Sequence, residues 1–536
     1  MNEKKYNWIA YLLLLSYLLI ACYKISSPGL QYDEMLFVNA AQHTKYDSSF
    51  IIKSLKGFPI LLMPYIGALK SYIYYPIINS LGVNIWTLRL PVILITILSL
   101  WVITKLTNKI FNKEFALIVL LILALNPTLV YMTRLDVGPN VIELFLKSVA
   151  CFLFYRFFFE KASFNNLILG FIILGMGLFN KLNFIWFINA SYATIFIFNF
   201  ECIRKGIVEK DVKNLKPYLA IAASYVVYAT YLIIIIKGYN LVHTSDSSSI
   251  LDSFINKVSV MNGVVNGTTF LGYIYSKVNS KIYTYILYLY GFIIVCGSIL
   301  NLINKKSAFI EKYKRIYFSI CLLIFFDSIQ IVLTKEATAP WHAFTIYPFF
   351  TIVLVYSLYS IHHVLAAYRA NVANLMLAGL VSIIVIYQCS VIVSYFNKLG
   401  TSTKNVAWSD EIYKLIDYTK NTNAKFVSLD WGFHNVLIAF DNKKDKYHEL
   451  SFAINGNITE DEKKWITKSY IQDSSVVFIS HSDKGQIFTK ALENFKNLAK
   501  ESNKDLIVIK TFKDSYGEIY LLYSVRDRVI TKKPSE

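Results

Sequence analysis

Residues 115–132 read FALIVLLILALNPTLVYM, with only Asn126, Pro127 and Thr128 interrupting the apolar and aromatic side chains. As a helix this run spans about 27 Å, the thickness of a bilayer's hydrocarbon core. Runs of the same kind recur at 7–25, 86–104, 140–158, 165–180, 182–199, 218–237, 283–304, 316–334, 341–361 and 372–396. The hydropathy pattern therefore predicts about eleven membrane helices. Composition agrees: 55% of the 536 residues are hydrophobic, 16% aromatic and only 17% charged, and the mean hydropathy is +0.45. A soluble domain lacks the polar surface to cover so many apolar side chains, and a disordered chain is far more polar.

The 54 Lys and Arg against 35 Asp and Glu leave a net charge of +19. No basic stripe of the kind that tracks nucleic acid accompanies this excess. The positive charges instead flank alternate spans. Lys4 and Lys5 precede the first, Lys105, Lys109 and Lys113 follow the second, and Arg156 and Lys161 follow the fourth. Arg204, Lys205, Lys210, Lys213 and Lys216 follow the sixth, and Lys305, Lys306, Lys312, Lys314 and Arg315 the eighth. The short loops on the other side hold only Arg134, Lys181 and Lys335. The positive-inside rule then places the N-terminus in the cytoplasm. Lys4, Lys5 and the Leu19–Cys22 box resemble a cleavable lipoprotein signal, but the first helix is expected to remain as the anchor of the loop that follows it. The six cysteines lie in or beside apolar segments, which suits neither a disulfide framework nor a zinc site.

Three regions fall on the external side: a loop at 26–85, a polar loop at 238–282 and a tail at 397–536. The prolines and Lys70 within 58–82 argue for interfacial helices lying on the membrane. In the tail, helical patterns at 409–421, 459–470 and 486–500 alternate with apolar runs at 425–429, 475–479, 506–511 and 518–523, which predicts an α/β domain. The expected architecture is thus a polytopic α-helical membrane domain over 1–396 and an extracytoplasmic α/β domain over 397–536. No glycine-rich phosphate loop opens a helix of that domain.

Ionisable groups at a membrane boundary are costly unless paired or solvated. Asp33 and Glu34 enter an apolar stretch after the first span. Such a pair divides the work of base and orienting group, or is a solvated helix start favoured by the helix dipole. Arg134 and Asp136 lie in a short link between spans, as an anchoring ion pair or as site groups. Lys181 breaks the positive-inside bias at a second short link, with snorkelling as the plain alternative. His342 begins a helix, where a structural hydrogen bond is the common role. Lys56 is either a solvated charge or part of the same group. All these residues share one face. Acids surrounded by Lys56, Arg134 and Lys181 suit a reaction in which cations receive a phosphate leaving group and a carboxylate takes the proton of an incoming hydroxyl.

These residues also carry a resemblance. Asp33-Glu34-Met35-Leu36-Phe37, Lys56-Gly57-Phe58-Pro59, Arg89-Leu90-Pro91, Arg134-Leu135-Asp136 and Gly177-Leu178-Phe179-Asn180-Lys181 resemble, in order and spacing, motifs of the GT-C superfamily of polytopic glycosyltransferases. The similar branch holds the protein O-mannosyltransferases and the lipid A aminoarabinose transferase. The likeness covers about residues 1–200, with Trp341-His342 to Pro348 beyond. Phe58 stands where family members commonly have the first of two prolines, and the tail matches no assignable acceptor module.

The resemblance implies inverting transfer of a sugar from a polyprenyl-phosphate donor to a hydroxyl-bearing lipid, glycan or protein. Asp33 would be the base and Glu34 its orienting partner. Lys56, Arg134 and Lys181 would hold the donor phosphate with help from His342, and Asp136 would support them. Loop residues His243, Asp246 and Asp252 are expected near the acceptor, with a flexible surface loop as the plain alternative. No cofactor is expected, although Asp33, Glu34 and Asp136 are oxygen donors suited to Mg²⁺ or Mn²⁺. The expected home is a bacterial inner membrane. Two other readings compete: a ligase or polymerase using diphosphate-linked glycans, and a lipid-linked-sugar transporter or flippase. The transporter would need internal repeats and midplane charges, and the sequence has no convincing repeat.

Overall fold

The computed structural model describes residues 1–42, 50–239, 250–275, 281–304, 307–335, 337–400, 405–483, 485–515 and 517–528. It opens with α1 (Glu3–Cys22) and α2 (Tyr32–Gln42), then β1 (Lys53–Leu55), β2 (Phe58–Met63), β3 (Ile66–Gly67) and α3 (Leu69–Leu81). Next come α4 (Ile85–Ile110), α5 (Lys113–Ala124), α6 (Pro127–Leu135), α7 (Asn140–Phe158), α8 (Phe164–Asn180), α9 (Ile185–Phe198) and α10 (Phe200–Val208). The chain continues through α11 (Val212–Tyr239), α12 (Ile250–Asn266), α13 (Thr269–Ile274), α14 (Lys281–Ile303), α15 (Ala308–Leu333), α16 (Pro340–Ala343) and α17 (Phe349–Lys398). The tail holds α18 (Glu411–Asn421), β4 (Lys425–Ser428), α19 (His434–Asp441), β5 (Tyr447–Glu449), α20 (Ser451–Ile454) and α21 (Glu460–Ile466). It closes with β6 (Val476–His481), α22 (Ala491–Glu501), β7 (Lys504–Asp514) and β8 (Gly517–Asp527).

Each of the eleven runs predicted as a membrane helix is largely helical, but they are not eleven uniform rods. Among the described residues six helices are long and apolar enough to cross a membrane, and eight if two bent pairs each count once. The run at 115–132 is one of those pairs, bent by 58° between α5 and α6. The cause is local: Asn126 accepts a hydrogen bond from the Leu129 amide, and Pro127 opens the new helix. An Asn-Pro pair is a helix start, and proline cannot continue the preceding helical ladder. The runs at 341–361 and 372–396 largely share α17, which breaks at Arg369 (φ −148°, ψ 92°).

The segment 58–82 departs from expectation. Its first part is not an interfacial helix but the middle strand of a sheet ordered β1-β2-β3, and only α3 is helical. Lys56 and Gly57, at φ +50° and +83°, make a two-residue turn, which matches the twist of a tight hairpin. Pro59 pairs with Ser54 beside a register irregularity, the kind of place a sheet tolerates a residue without an N–H. The loop at 238–282 likewise contains α12 and α13.

In the tail, β5, β4 and β6 run parallel, β8 is antiparallel to β6, and β7 closes the other edge, in the order β5-β4-β6-β8-β7. The first loop packs directly on this sheet layer. Leu30, Met35, Phe37 and Val38 share a buried core with Ile412, Phe433, Val436, Leu437 and Tyr520. Backbone contacts seal the joint: the Gly29 amide donates to the Trp408 carbonyl at 2.9 Å, and the Tyr413 hydroxyl donates to the Ser26 carbonyl at 2.5 Å.

Two glycines permit these close approaches. A Cβ on Gly29 would lie 2.1 Å from the Ser409 carbonyl oxygen, and one on Gly67 would lie 2.0 Å from that of Phe179. Gly67→Ala is expected to destabilise the protein by about 1–3 kcal/mol through backbone displacement, read as a lowered Tm of the purified, detergent-solubilised protein. Gly272→Ala, whose added methyl meets nothing within 4 Å, is the matched control and should leave Tm unchanged or higher.

Candidate active site

The site is assembled where the N-terminal turn of α2 meets the α8–α9 link and the ends of α4, α6 and α7. Glu34 is buried and does not face its neighbour's surroundings: the fully buried Arg89 at the start of α4 grips it through Nε–Oε1 at 2.9 Å and Nη2–Oε2 at 3.2 Å. The same guanidinium donates to the carbonyls of Ile25 at 2.7 Å and Gly29 at 3.4 Å. A fork of five donors suits this simultaneous grasp. The sequence marked Arg89 only as part of a motif, and its pairing with Glu34 joins residues 55 apart.

Arg134 is equally committed. Its Nη1 donates to the Tyr23 carbonyl at 2.8 Å, and its Nη2 to those of Lys24 and Ser27, both at 2.6 Å. It therefore closes the start of the first loop over the helix ends and, among the described residues, pairs with no carboxylate. Asp136, in the left-handed region at φ +35°, is not paired with Arg134 as the anchoring alternative supposed. It forms an ion pair with Lys70 of α3 at 2.9 Å and accepts from the Val141 amide at 3.1 Å. Burial raises the Asp136 carboxyl above its ordinary range while Lys70 opposes the shift.

Asp33 has a different fate. Burial pushes its carboxyl up to about 6, against a Gln31 hydrogen bond and the charge of Lys181. Desolvation and then the Asp33 charge also raise the phenols of Tyr65, just before β3, and Tyr273 of α13, so both rings lie in its surroundings. Lys181 is buried, donates to Asn140 Oδ1 at 3.2 Å, and is bridged to Ile66 of β3. Burial draws its ammonium below the ordinary value, while Glu143, Asp136 and Asp33 pull the other way. The ammonium therefore stands among three carboxylates, of which Asp136 already has Lys70.

His342 lies between Trp186 and Trp341, at ring separations of 6.1 and 6.2 Å, with a buried Nδ1 that has no hydrogen-bond partner among the described residues. Lys56 sits exposed at the β1–β2 turn, and no described ion pair joins it to the cluster. His243 and Asp246 lie outside the described residues. Loop 238–282 nevertheless reaches the site through Tyr273. The acids considered for Mg²⁺ or Mn²⁺ do not converge: Glu34 is held by Arg89 and Asp136 by Lys70. Among the described residues no three Asp, Glu, His or Cys side chains gather as a ligand set, whereas hard cations take six or more oxygens.

Sequence reading passed over the ionisable residues inside the spans. Lys147 of α7 donates to the carbonyls of Thr345 and Tyr347 at 2.7 and 3.0 Å, and Asp327 of α15 accepts from the Thr345 hydroxyl at 2.7 Å. These contacts hold the turn that follows His342. Their signal was present, since charges within apolar runs mark function or pairing. An apolar cavity of about 280 Å³ lies at the other end of the same helices, lined by Ile110, Phe158, Phe198 and Arg315, and contributes nothing to this cluster.

Breaking the Glu34–Arg89 pair leaves a buried charge uncompensated. Glu34→Leu and Arg89→Met are each expected to cost about 3–5 kcal/mol, and the Glu34→Leu/Arg89→Met double variant considerably less than their sum. Thermal unfolding of the four proteins measures the coupling directly.

A family model described as dolichyl-phosphate-mannose-protein mannosyltransferase matches residues 69–234, the region that supplies Lys70, Arg89, Arg134, Asp136 and Lys181. No curated protein sequence matches the chain. Among solved structures, the apo form of ArnT from Cupriavidus metallidurans superposes over 96% of this chain and 98% of its own, with TM-score 0.57 and 10% identity. The form of that protein bound to undecaprenyl phosphate gives 0.56 at 11% identity, with the same coverage. The Archaeoglobus fulgidus oligosaccharyltransferase in its apo form gives 0.51 at 10% identity, over 90% of this chain and 70% of its own. By these comparisons the chain is similar to the mannosyltransferase family over residues 69–234 and shares its overall fold with the ArnT and oligosaccharyltransferase structures.

Proposed function

We propose that the protein transfers a sugar from a polyprenyl-phosphate carrier to a hydroxyl-bearing acceptor, with inversion at the anomeric carbon. The observation that carries this reading is the contrast between neighbours: Glu34 is locked to Arg89, whereas Asp33 beside it is left unpaired by an arginine, with Lys181 nearby. In the reaction the acceptor oxygen bonds to the anomeric carbon as the carbon–oxygen bond to phosphate breaks. The hydroxyl proton passes to the Asp33 carboxylate, and the departing phosphate takes the negative charge toward Lys181. A carboxyl whose pKa lies near the working pH is an effective general base.

Glu34, Arg89, Arg134 and Asp136 act in this scheme by holding the loop and Lys181 link in register. His342 is near the donor, where its unpartnered Nδ1 is available to a phosphate or sugar oxygen. Lys56 is left without a part in the chemical step. We also propose that transfer proceeds without a divalent metal, because the neighbouring acids are committed to cations of the protein. The ArnT structure with bound undecaprenyl phosphate supports the class of carrier. The basic ends opposite the site support a cytoplasmic N-terminus and an external site, in a bacterial inner membrane.

Purified protein supplied with radiolabelled polyprenyl-phosphate sugars and a membrane lipid extract should release carrier phosphate. Asp33→Asn, folded with unchanged Tm, is expected to lower transfer by about 10²–10⁴-fold, and EDTA to leave it unchanged. Transfer that survives Asp33→Asn would refute Asp33 as the base. The base is effective only when ionised, so kcat should fall below about pH 6, following the raised Asp33 carboxyl. Asp33→Asn should abolish that acid limb along with the main activity.

A further inference from the structure

The parallel strands of the tail present their carboxyl ends to the site. β4 lies between β5 and β6, so the chain leaves it to one side and later returns on the other. In open α/β sheets the crevice at such a switch point, beyond the strand carboxyl ends, is where ligands bind. Three residues stand there: Asp430 two positions after β4, Glu449 at the end of β5 and His481 at the end of β6.

Asp430 is fully engaged. It accepts from His481 Nδ1 at 2.8 Å, from the Ile487 and Phe488 amides at 3.0 and 2.8 Å, and from the Trp431 amide at 2.8 Å. Burial would raise its pKa, yet these bonds hold it below the usual carboxylate value. The loop carrying Trp431 is thereby fixed. The Trp431 ring lies 4.9 Å from that of Tyr32, tilted by 35°, and both rings keep part of their surface exposed. Tyr32 directly precedes Asp33. Asn435 of α19 anchors this turn, donating to the Tyr32 carbonyl at 3.4 Å.

Glu449 completes the group. Its Oε1 accepts from the Ser451 amide and hydroxyl at 3.2 and 2.5 Å, while Oε2 is buried without a hydrogen-bond partner among the described residues. Its charge bears on the Tyr32 phenol, which places it in the surroundings of that ring. Burial pushes this carboxyl up to about 8, which makes it a neutral hydrogen-bond donor at pH 7. A buried polar atom without a partner calls for one. Aromatic faces beside a neutral carboxyl match the alternating C–H and hydroxyl surface of a sugar ring.

We propose that Tyr32, Trp431 and Glu449 form a subsite for a sugar ring, through which the tail domain selects the substrate presented to Asp33. This deepens the transferase reading and rests on it for the role of the ring. The sugar belongs either to the acceptor or to the carrier, and the two sources separate kinetically.

The test uses full-length protein in nanodiscs with two readouts. Saturation-transfer NMR with a panel of methyl hexosides and pentosides reports ring binding without any turnover. Trp431→Ala and Glu449→Leu should each weaken it by about 10-fold, the scale of one lost aromatic or hydrogen-bond contact. Trp431→Phe and Glu449→Gln, which keep ring and donor, should retain it. In the transfer assay, a raised acceptor KM with unchanged donor KM assigns the ring to the acceptor, and the reverse assigns it to the carrier. Either supports the subsite. Glycoside binding lost on Trp431→Ala, in a protein that transfers nothing, upholds the subsite while defeating the transferase reading. No glycoside binding by the unaltered protein, or binding and both KM values indifferent to Trp431→Ala, overturns the proposal.

Discussion

The long loop between α1 and α4 depends on two buried guanidiniums. Arg89 and Arg134 together bind the carbonyls of Tyr23, Lys24, Ile25, Ser27 and Gly29, and Arg89 adds the Glu34 carboxylate. A turn buried between helices and the tail's sheet layer has few water molecules to satisfy its carbonyls, so protein donors must do so. Arginine is suited because one planar fork reaches several acceptors and keeps its charge when buried. The desolvation of Arg89 is offset by a bidentate carboxylate, and that pairing sets the orientation of α2. Asp33, one residue before Glu34, is directed accordingly.

The same economy of pairing gives each charge around the site a distinct job. Lys70 holds Asp136, which stands at a helix end in left-handed backbone; Lys147 holds the turn after His342. With those cations committed, Lys181 is, among the described residues, the cation set beside carboxylates that include Asp33. Neighbouring acids with identical chemistry are separated by their environments, one fixed in an ion pair and the other raised by burial, a division that acid–base catalysis commonly uses. The close backbone approaches at Gly29 and Gly67 bring the tail and the Lys181 link against the loop that carries these acids.

Much of this was legible before the structure. The apolar runs became helices, and the tail's strands β4, β6, β7 and β8 fall on its apolar runs. Asp33, Lys181 and Asp136 do lie together. The errors have local causes. Asn126-Pro127 is a break written in two residues, which a hydropathy window averages away. The Lys56-Gly57 turn makes a hairpin of the start of a stretch whose prolines suggested interfacial helices. The helix α19 and the short strand β5 went unnoticed because eight and three residues show little periodicity.

Hydropathy and the charge of loops are properties of contiguous residues, so the primary sequence suffices for the membrane helices and for the face on which the polar groups collect. Pairing is not contiguous. Glu34 meets Arg89 across 55 residues and Lys70 meets Asp136 across 66, while the side chain of Trp431 reaches Tyr32 from the far end of the chain. Whether an arginine receives a phosphate or clasps a loop depends on which carbonyls surround it. The linear order holds no such distances, because the free energy of a buried charge is set by neighbours that folding alone brings within a few ångströms.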